Sequence, residues 1–153
     1  MTNTIRQLKN FIWVINQLLL KKYLIKMISL PENIQPTIRV LPMPADTNAA
    51  GDIFGGWLMS QVDIAGSIEA HRVVKDRIVT VAVHEFLFLA PVCVGDLVSL
   101  YTKVVHIGHT SIRIHIDGFI ERHGNPIITQ KVTEAEITYV AIDKNQKPRS
   151  INI

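Results

Sequence analysis

The chain has little cysteine, little charge and no long uninterrupted apolar run. A single cysteine in 153 residues, Cys93, excludes an intramolecular disulfide and any cysteine-rich zinc site. Only 19% of residues are charged while 48% are hydrophobic, which excludes a disordered or low-complexity chain. The longest compact apolar stretch, Phe11 to Leu20, is interrupted by Asn16 and Gln17 and falls short of the roughly 20 residues of a membrane span. No small-residue cleavage site follows it, which argues against a signal peptide. Also missing are a G-x-S-x-G elbow, a Walker loop and a G-x-G-x-x-G turn.

Acidic residues are absent from positions 1–31, which carry Arg6, Lys9, Lys21, Lys22 and Lys26 for a net charge of +5. The other 11 basic residues face all 13 acids, so positions 32–153 sum to −2. The isoelectric point near 9.1 therefore belongs to the first fifth of the chain. The body is mildly acidic, and nothing in its charge predicts a nucleic-acid partner.

Within the basic segment, Ile5, Leu8, Ile12, Ile15 and Leu19 recur at helical steps. The segment reads as a helical extension over 1–31, either an interfacial helix in contact with a membrane surface through 1–30 or a targeting peptide, or else a helix docked on a partner. The competing expectation is a translation start at Met27, which is followed by the polar, proline-bounded ISLPENIQP.

Residues 37–153 show no internal repeat or linker and are expected to form one domain. Thr37–Met43 is a short strand ended by Pro42 and Pro44, and the following ADTNAAGD is a loop. Ile53 to about Arg72 is the one long helical stretch, apolar on most sides and so expected to be buried on most sides. Strand patterns follow at Ile78–Leu89, Asp96–His106, Ser111–Ile120 and Ile127–Ile142. The third alternates cleanly, with Ile112, Ile114 and Ile116 on one face and Arg113, His115 and Asp117 on the other. Short turns between long strands imply antiparallel pairing, hence an α+β fold: about five strands wrapped around one helix.

Chemistry gathers on that helix. Gly55 and Gly56 lie in its first turn, where each costs roughly 1 kcal/mol relative to alanine. They point either to tight packing of the helix start or to a site where exposed N–H groups meet negative charge. Asp63 sits mid-helix between Val62 and Ile64, on a stripe with Gly56, Ser60 and Ser67. A carboxylate there is either outward-facing or used. Gly55 and Asp63 are eight residues apart, about 12 Å along a helix. An oxyanion donor and a base acting on one carbonyl must both lie within about 3 Å of it. If both act, they come from two helices, which places the site at a dimer interface.

The run NAAGDIFGGWLMSQVDIAG from Asn48 to Gly66, with VTVAV at 79–83 and PVCVGD at 91–96, resembles the hot-dog-fold acyl-CoA thioesterases, most closely the YciA-type group. The resemblance covers about Arg39 to Arg149. It implies hydrolysis of acyl-CoA, a curved antiparallel sheet around one helix, and homodimers with paired sites, often assembled into hexamers. Position by position, the family's catalytic carboxylate matches Asp63, its oxyanion-hole N–H matches Gly55 with Gly56 beside it, and the polar loop residue matches Asn48. Many relatives carry histidine before the paired glycines; Phe54 stands there in this chain. Arg77, Thr80 and the turn from Gly108 to Ser111 are the expected substrate-binding contacts to coenzyme A. Asp63 is expected to act as general base on water or as nucleophile. No metal or other cofactor is expected, and the location is expected to be cytoplasmic.

Asp52 is expected to cap the helix, and Cys93 to be a buried structural thiol. His106, His109 and His115 have no metal-site spacing and are expected on the surface or in a pocket. Two other functions fit less well. A hot-dog hydratase or dehydratase would use a histidine near the helix carboxylate, and none lies between Asn48 and Asp63. A non-catalytic acyl-CoA sensor would have no need to keep Asn48, the glycines and Asp63 together.

Overall fold

The computed structural model describes residues 29–75 and 77–151. The expected helical extension lies outside these, apart from residues 29–31, which are not helical.

The element order is β1 (Ile38–Val40), a 3-10 turn (Pro44–Asp46), α1 (Gly55–Val73), β2 (Ile78–Phe88), β3 (Leu97–Ile107), β4 (Ser111–Arg122) and β5 (Ile128–Ala141). All pairings are antiparallel, and the five strands form one sheet in the order β1-β3-β4-β5-β2. Helix α1 packs on one face against β2, β3, β4 and β5. The expected first strand is cut to three residues because Pro42 and Pro44 remove ladder donors, and the chain turns there instead.

The core lies between that sheet face and the helix. Ile112, Ile114 and Ile116 are fully buried beneath Val62 and Ala65, as the alternation predicts. Each such isoleucine contributes about 2 kcal/mol through burial. Gly118 brings β4 close to β5: a Cβ there would stand 2.4 Å from Cγ2 of Thr133. The register shifts between Gly118 and Phe119, and again along β2 between Thr80 and Ala82 and between Val83 and Glu85. These irregularities bend the sheet around the helix.

One expectation needs correction. The helix is not buried on most sides of a single chain: Leu58, Val62, Ala65, Gly66 and Ala70 are buried, but Met59, Ile64 and Ile68 are exposed. One sheet covers one helix face only, so the second apolar face is left uncovered. Strand β2 is likewise a sheet edge, and it exposes Val81, Val83 and Phe88. A long apolar edge of this kind is a template for pairing with another chain.

Candidate active site

The helix begins without a side-chain cap. The loop before it closes through an isolated bridge between Thr47 and Ile53, with the Asn48 N–H donating to the Asp52 carbonyl at 2.7 Å. Phe54, not Asp52, is the capping residue, and it offers no side-chain acceptor. Burial of Ile53 and its N–H bond to the Val92 carbonyl (2.9 Å) set this register, which leaves Asp52 outside the helix. The N–H groups of Gly55 and Gly56 consequently have no acceptor among the described residues, at the positive end of the helix dipole.

The two glycines divide the alternatives between them. A Cβ on Gly55 would meet the Phe88 ring at 3.1 Å, so Gly55 is there for packing. A Cβ on Gly56 would meet nothing within 4 Å, so the space beside it is open. A cleft of about 410 Å³ lies here, lined by Asn48, Gly55, Leu58, Phe88, Pro91 and Val92 among others. It is mostly apolar, with a few polar groups, as small-molecule sites are. Asn48 Oδ1 accepts from the N–H groups of Ala50 (2.9 Å) and Asp52 (3.3 Å), which ties up its oxygen, while its amide NH2 has no acceptor among the described residues.

Asp63 is half-buried on the helix, and its Oδ1 is held from two strands. The Thr80 hydroxyl donates to it at 2.9 Å, and the Tyr139 hydroxyl lies 3.2 Å away. Thr80 and Tyr139 are cross-strand partners on β2 and β5. Oδ2 has no partner among the described residues. Burial, reinforced by the Asp63 charge and hydrogen bond, raises the Tyr139 pKa far above its ordinary value, so the phenol stays protonated and can donate. Tyr139 is the residue that the sequence reading missed. Its position in an alternating strand reads as plain core; the available signal was Gly66, one helical turn after Asp63.

The structure sorts the expected residues into two groups. Asn48 and Gly55 line the cleft at the Phe88 end of β2, with Gly56 next along the helix, while Asp63 is bonded to Thr80 near the other end of that strand. Arg77 lies beside Thr80's end, its carbonyl accepting from the Ile142 N–H at 2.9 Å. Gly108 and Ser111 close the β3–β4 turn through a 2.7 Å bond, with Ser111 opposite Val140, next to Tyr139. The eight residues from Thr80 to Phe88 span roughly 25 Å of strand. Within one chain the two groups do not meet.

Other expected features are relocated. Cys93 is half-buried rather than buried, with its sulfur 3.2 Å from Arg122 Nη2. Arg122 forms a two-pronged pair with the buried Asp96 (2.7 Å to each oxygen), and Asp96 also accepts from the Cys93 N–H at 2.8 Å. That triangle fixes the loop carrying Pro91 and Val92, one wall of the cleft. The three histidines do not gather: His109 pairs with Ser150, whereas His115 lies with Asp117 and Glu134 on the sheet face opposite the helix. The ammonium of Lys131 sits 2.6 Å from Asp117 and also pairs with Glu134, so this cluster already has its cation.

Comparison with known proteins identifies the family and the fold. Residues 50–127 match the model of the thioesterase superfamily. The acyl-CoA thioester hydrolase YciA of Escherichia coli K12 is 49% identical over 118 residues, covering 76% of this chain and 89% of that protein. A hexameric thioesterase of Yersinia pestis superposes with a TM-score of 0.75 at 48% identity, covering 81% of this chain and 100% of that one. A hexameric hotdog-fold thioesterase of Campylobacter jejuni gives a TM-score of 0.75 at 37% identity, covering 80% and 93%. The chain folds as a hotdog and belongs to the thioesterase superfamily.

Proposed function

We propose that this protein hydrolyses acyl-CoA thioesters to the free acid and coenzyme A, in sites formed between two copies of the chain. The observation that carries the reading is the pairing of a helix carboxylate whose Oδ2 has no partner among the described residues with an uncapped helix start opening on an apolar cleft. The cleft takes the acyl group. The N–H groups of Gly55 and Gly56 stabilise the oxyanion that develops on the thioester carbonyl, and the Asn48 amide donates beside it. Asp63 Oδ2 supplies the base for water, or attacks the carbonyl itself. Direct attack expels the coenzyme A thiolate and joins the acyl group to Asp63 as an anhydride that water then cleaves. In single turnover in heavy-oxygen water, label in Asp63 establishes that route, because general-base hydrolysis puts label only in the free acid.

A two-fold partner supplies the missing half of each site. Antiparallel pairing of two β2 edges brings the Thr80 end of one strand to the Phe88 end of the other. The exposed Met59 lies midway between Gly55 and Asp63 on the helix, so the same axis crosses two helices there. The apolar residues left uncovered in one chain are those such a partner would bury. We propose further assembly to a hexamer, the state of the Yersinia and Campylobacter neighbours.

Hydrolysis changes no oxidation state, and Asp63 with the helix-start N–H groups would serve as base and oxyanion donors. The proposed reaction therefore uses no metal or redox cofactor, and coenzyme A enters as part of the substrate. Arg77, Gly108 and Ser111, at the Thr80 end of the sheet, are proposed contacts for the coenzyme A portion. We further propose a role in fatty-acid metabolism and a cytoplasmic location, which cell fractionation tests. Among the described residues no helix is long and apolar enough to cross a membrane.

Hydrolysis of a panel of acyl-CoA thioesters, followed by release of free thiol, tests the activity. Turnover by the wild type and its loss in Asp63→Asn are expected, with a fall of roughly 100-fold or more. Tight binding of acyl-CoA without turnover by the wild type would instead make the protein a sensor. A dehydratase is disfavoured by Phe54 and by the absence of a histidine among the residues lining the cleft.

A further inference from the structure

The Tyr139 side chain is fully buried, yet its hydroxyl ends at the Asp63 carboxylate in the middle of the helix. It is 2.9 Å from the Asp63 backbone carbonyl and 3.2 Å from Asp63 Oδ1. Room for it exists only because residue 66 is glycine: a Cβ there would stand 2.2 Å from the hydroxyl oxygen and 3.1 Å from Cζ. A mid-helix glycine is unfavourable for the helix, and no φ requirement accounts for it, since Gly66 is not among the residues of positive φ. Close approach of the tyrosine does account for it.

A phenol has one proton and two acceptors within reach here. While Asp63 is ionised, the hydroxyl can donate to Oδ1. Once Oδ2 has taken a proton, Oδ1 is the carbonyl oxygen of the acid and still accepts from the phenol. Asp63 therefore keeps a hydrogen bond in both protonation states without any movement of heavy atoms. Thr80 holds the same Oδ1 from the adjacent strand, so both donors lie on one oxygen and Oδ2 remains free for chemistry.

Resting on the hydrolase reading above, we propose that Tyr139 is a positioning residue for Asp63: its rotatable hydroxyl, housed in the space left by Gly66, fixes which carboxylate oxygen reacts. Tyr139 does not touch substrate, since no part of it is exposed.

The test is steady-state kinetics on the full-length protein with the acyl-CoA thioester that the wild type turns over fastest. Tyr139→Phe keeps the ring and removes only the hydroxyl. It should lower kcat about tenfold with KM unchanged and the melting temperature little altered. Gly66→Ala, which takes the hydroxyl's space, should give the same kcat loss with lower stability. The double variant should be no slower than Tyr139→Phe alone, because both changes remove one interaction. Wild-type kcat in Tyr139→Phe overturns the proposal, as does a loss that tracks melting temperature or multiplies in the double variant. A wild type inert across the whole panel overturns the hydrolase reading instead, a result distinct from an active wild type with an unaffected Tyr139→Phe.

Discussion

Phe88 lies over Gly55, with its ring 3.1 Å from where a Cβ on that glycine would be, while the next residue, Gly56, faces empty space. Two adjacent glycines of one helix turn thus answer to different constraints. The first is shaped by the protein's own packing. The second leaves room for something the chain itself does not supply, and in the proposed site that is the thioester carbonyl.

Substitution of Gly56 by alanine separates stability from activity. The new methyl group meets no protein atom, and alanine is the better helix former, so stability should rise by up to about 1 kcal/mol. Activity should nevertheless fall, because the methyl group enters the carbonyl's space. Thermal melts and acyl-CoA turnover on one preparation check this; higher stability with full activity would remove Gly56 from the site.

Asp96 should be the costliest carboxylate to neutralise outside the site. It is 1% exposed and pairs with Arg122, which is raised above its ordinary pKa chiefly by that hydrogen bond. Asp96→Asn leaves the guanidinium and the Cys93 N–H with weaker acceptors. We expect a loss of about 2–3 kcal/mol in denaturant melts, together with weakened substrate binding as the Pro91–Val92 wall loosens.

The outer face of the sheet should carry a pH-dependent share of stability. A hydrogen bond to Asp117 raises the His115 pKa, against the opposing effect of burial. Asp117 is held below its ordinary value, its desolvation outweighed by the bonds from His115 and Lys131. A raised folded-state pKa means that the His115 contribution is complete below the unfolded value of about 6.5. It is lost as pH rises through the folded value. Melting temperatures taken from pH 6 to 8.5 should therefore fall more for the wild type than for His115→Gln. Parallel curves would show that the pair contributes nothing.

Much of this was legible in the sequence because the signals were local. The alternation from Ile112 to Asp117 placed β4 correctly, since side chains of a strand must face opposite ways. The β-branched run at 78–83 placed β2, and Asp63 stood out as a charge in an apolar helix. Three things were not local. Asp52 has the composition of a cap, but the Thr47–Ile53 bridge and the buried Ile53 decide where the helix starts. The apolar back of the helix reads as buried, yet within one chain it is exposed, because the single sheet covers one helix face only. Tyr139 is 76 residues from Asp63, and only the pairing of β5 with β2 brings it to the carboxylate beside Thr80.

The central claim is that one site draws Asp63 from one subunit and the helix start from the other, and co-expression of two crippled chains tests it most directly. Asp63→Asn and Gly56→Val should each be inactive alone. In a random mixture, about a quarter of sites receive both intact halves, so about a quarter of wild-type activity should return. If the co-expressed chains assemble together and no activity returns, each site is built within a single chain, and the two-subunit account is wrong.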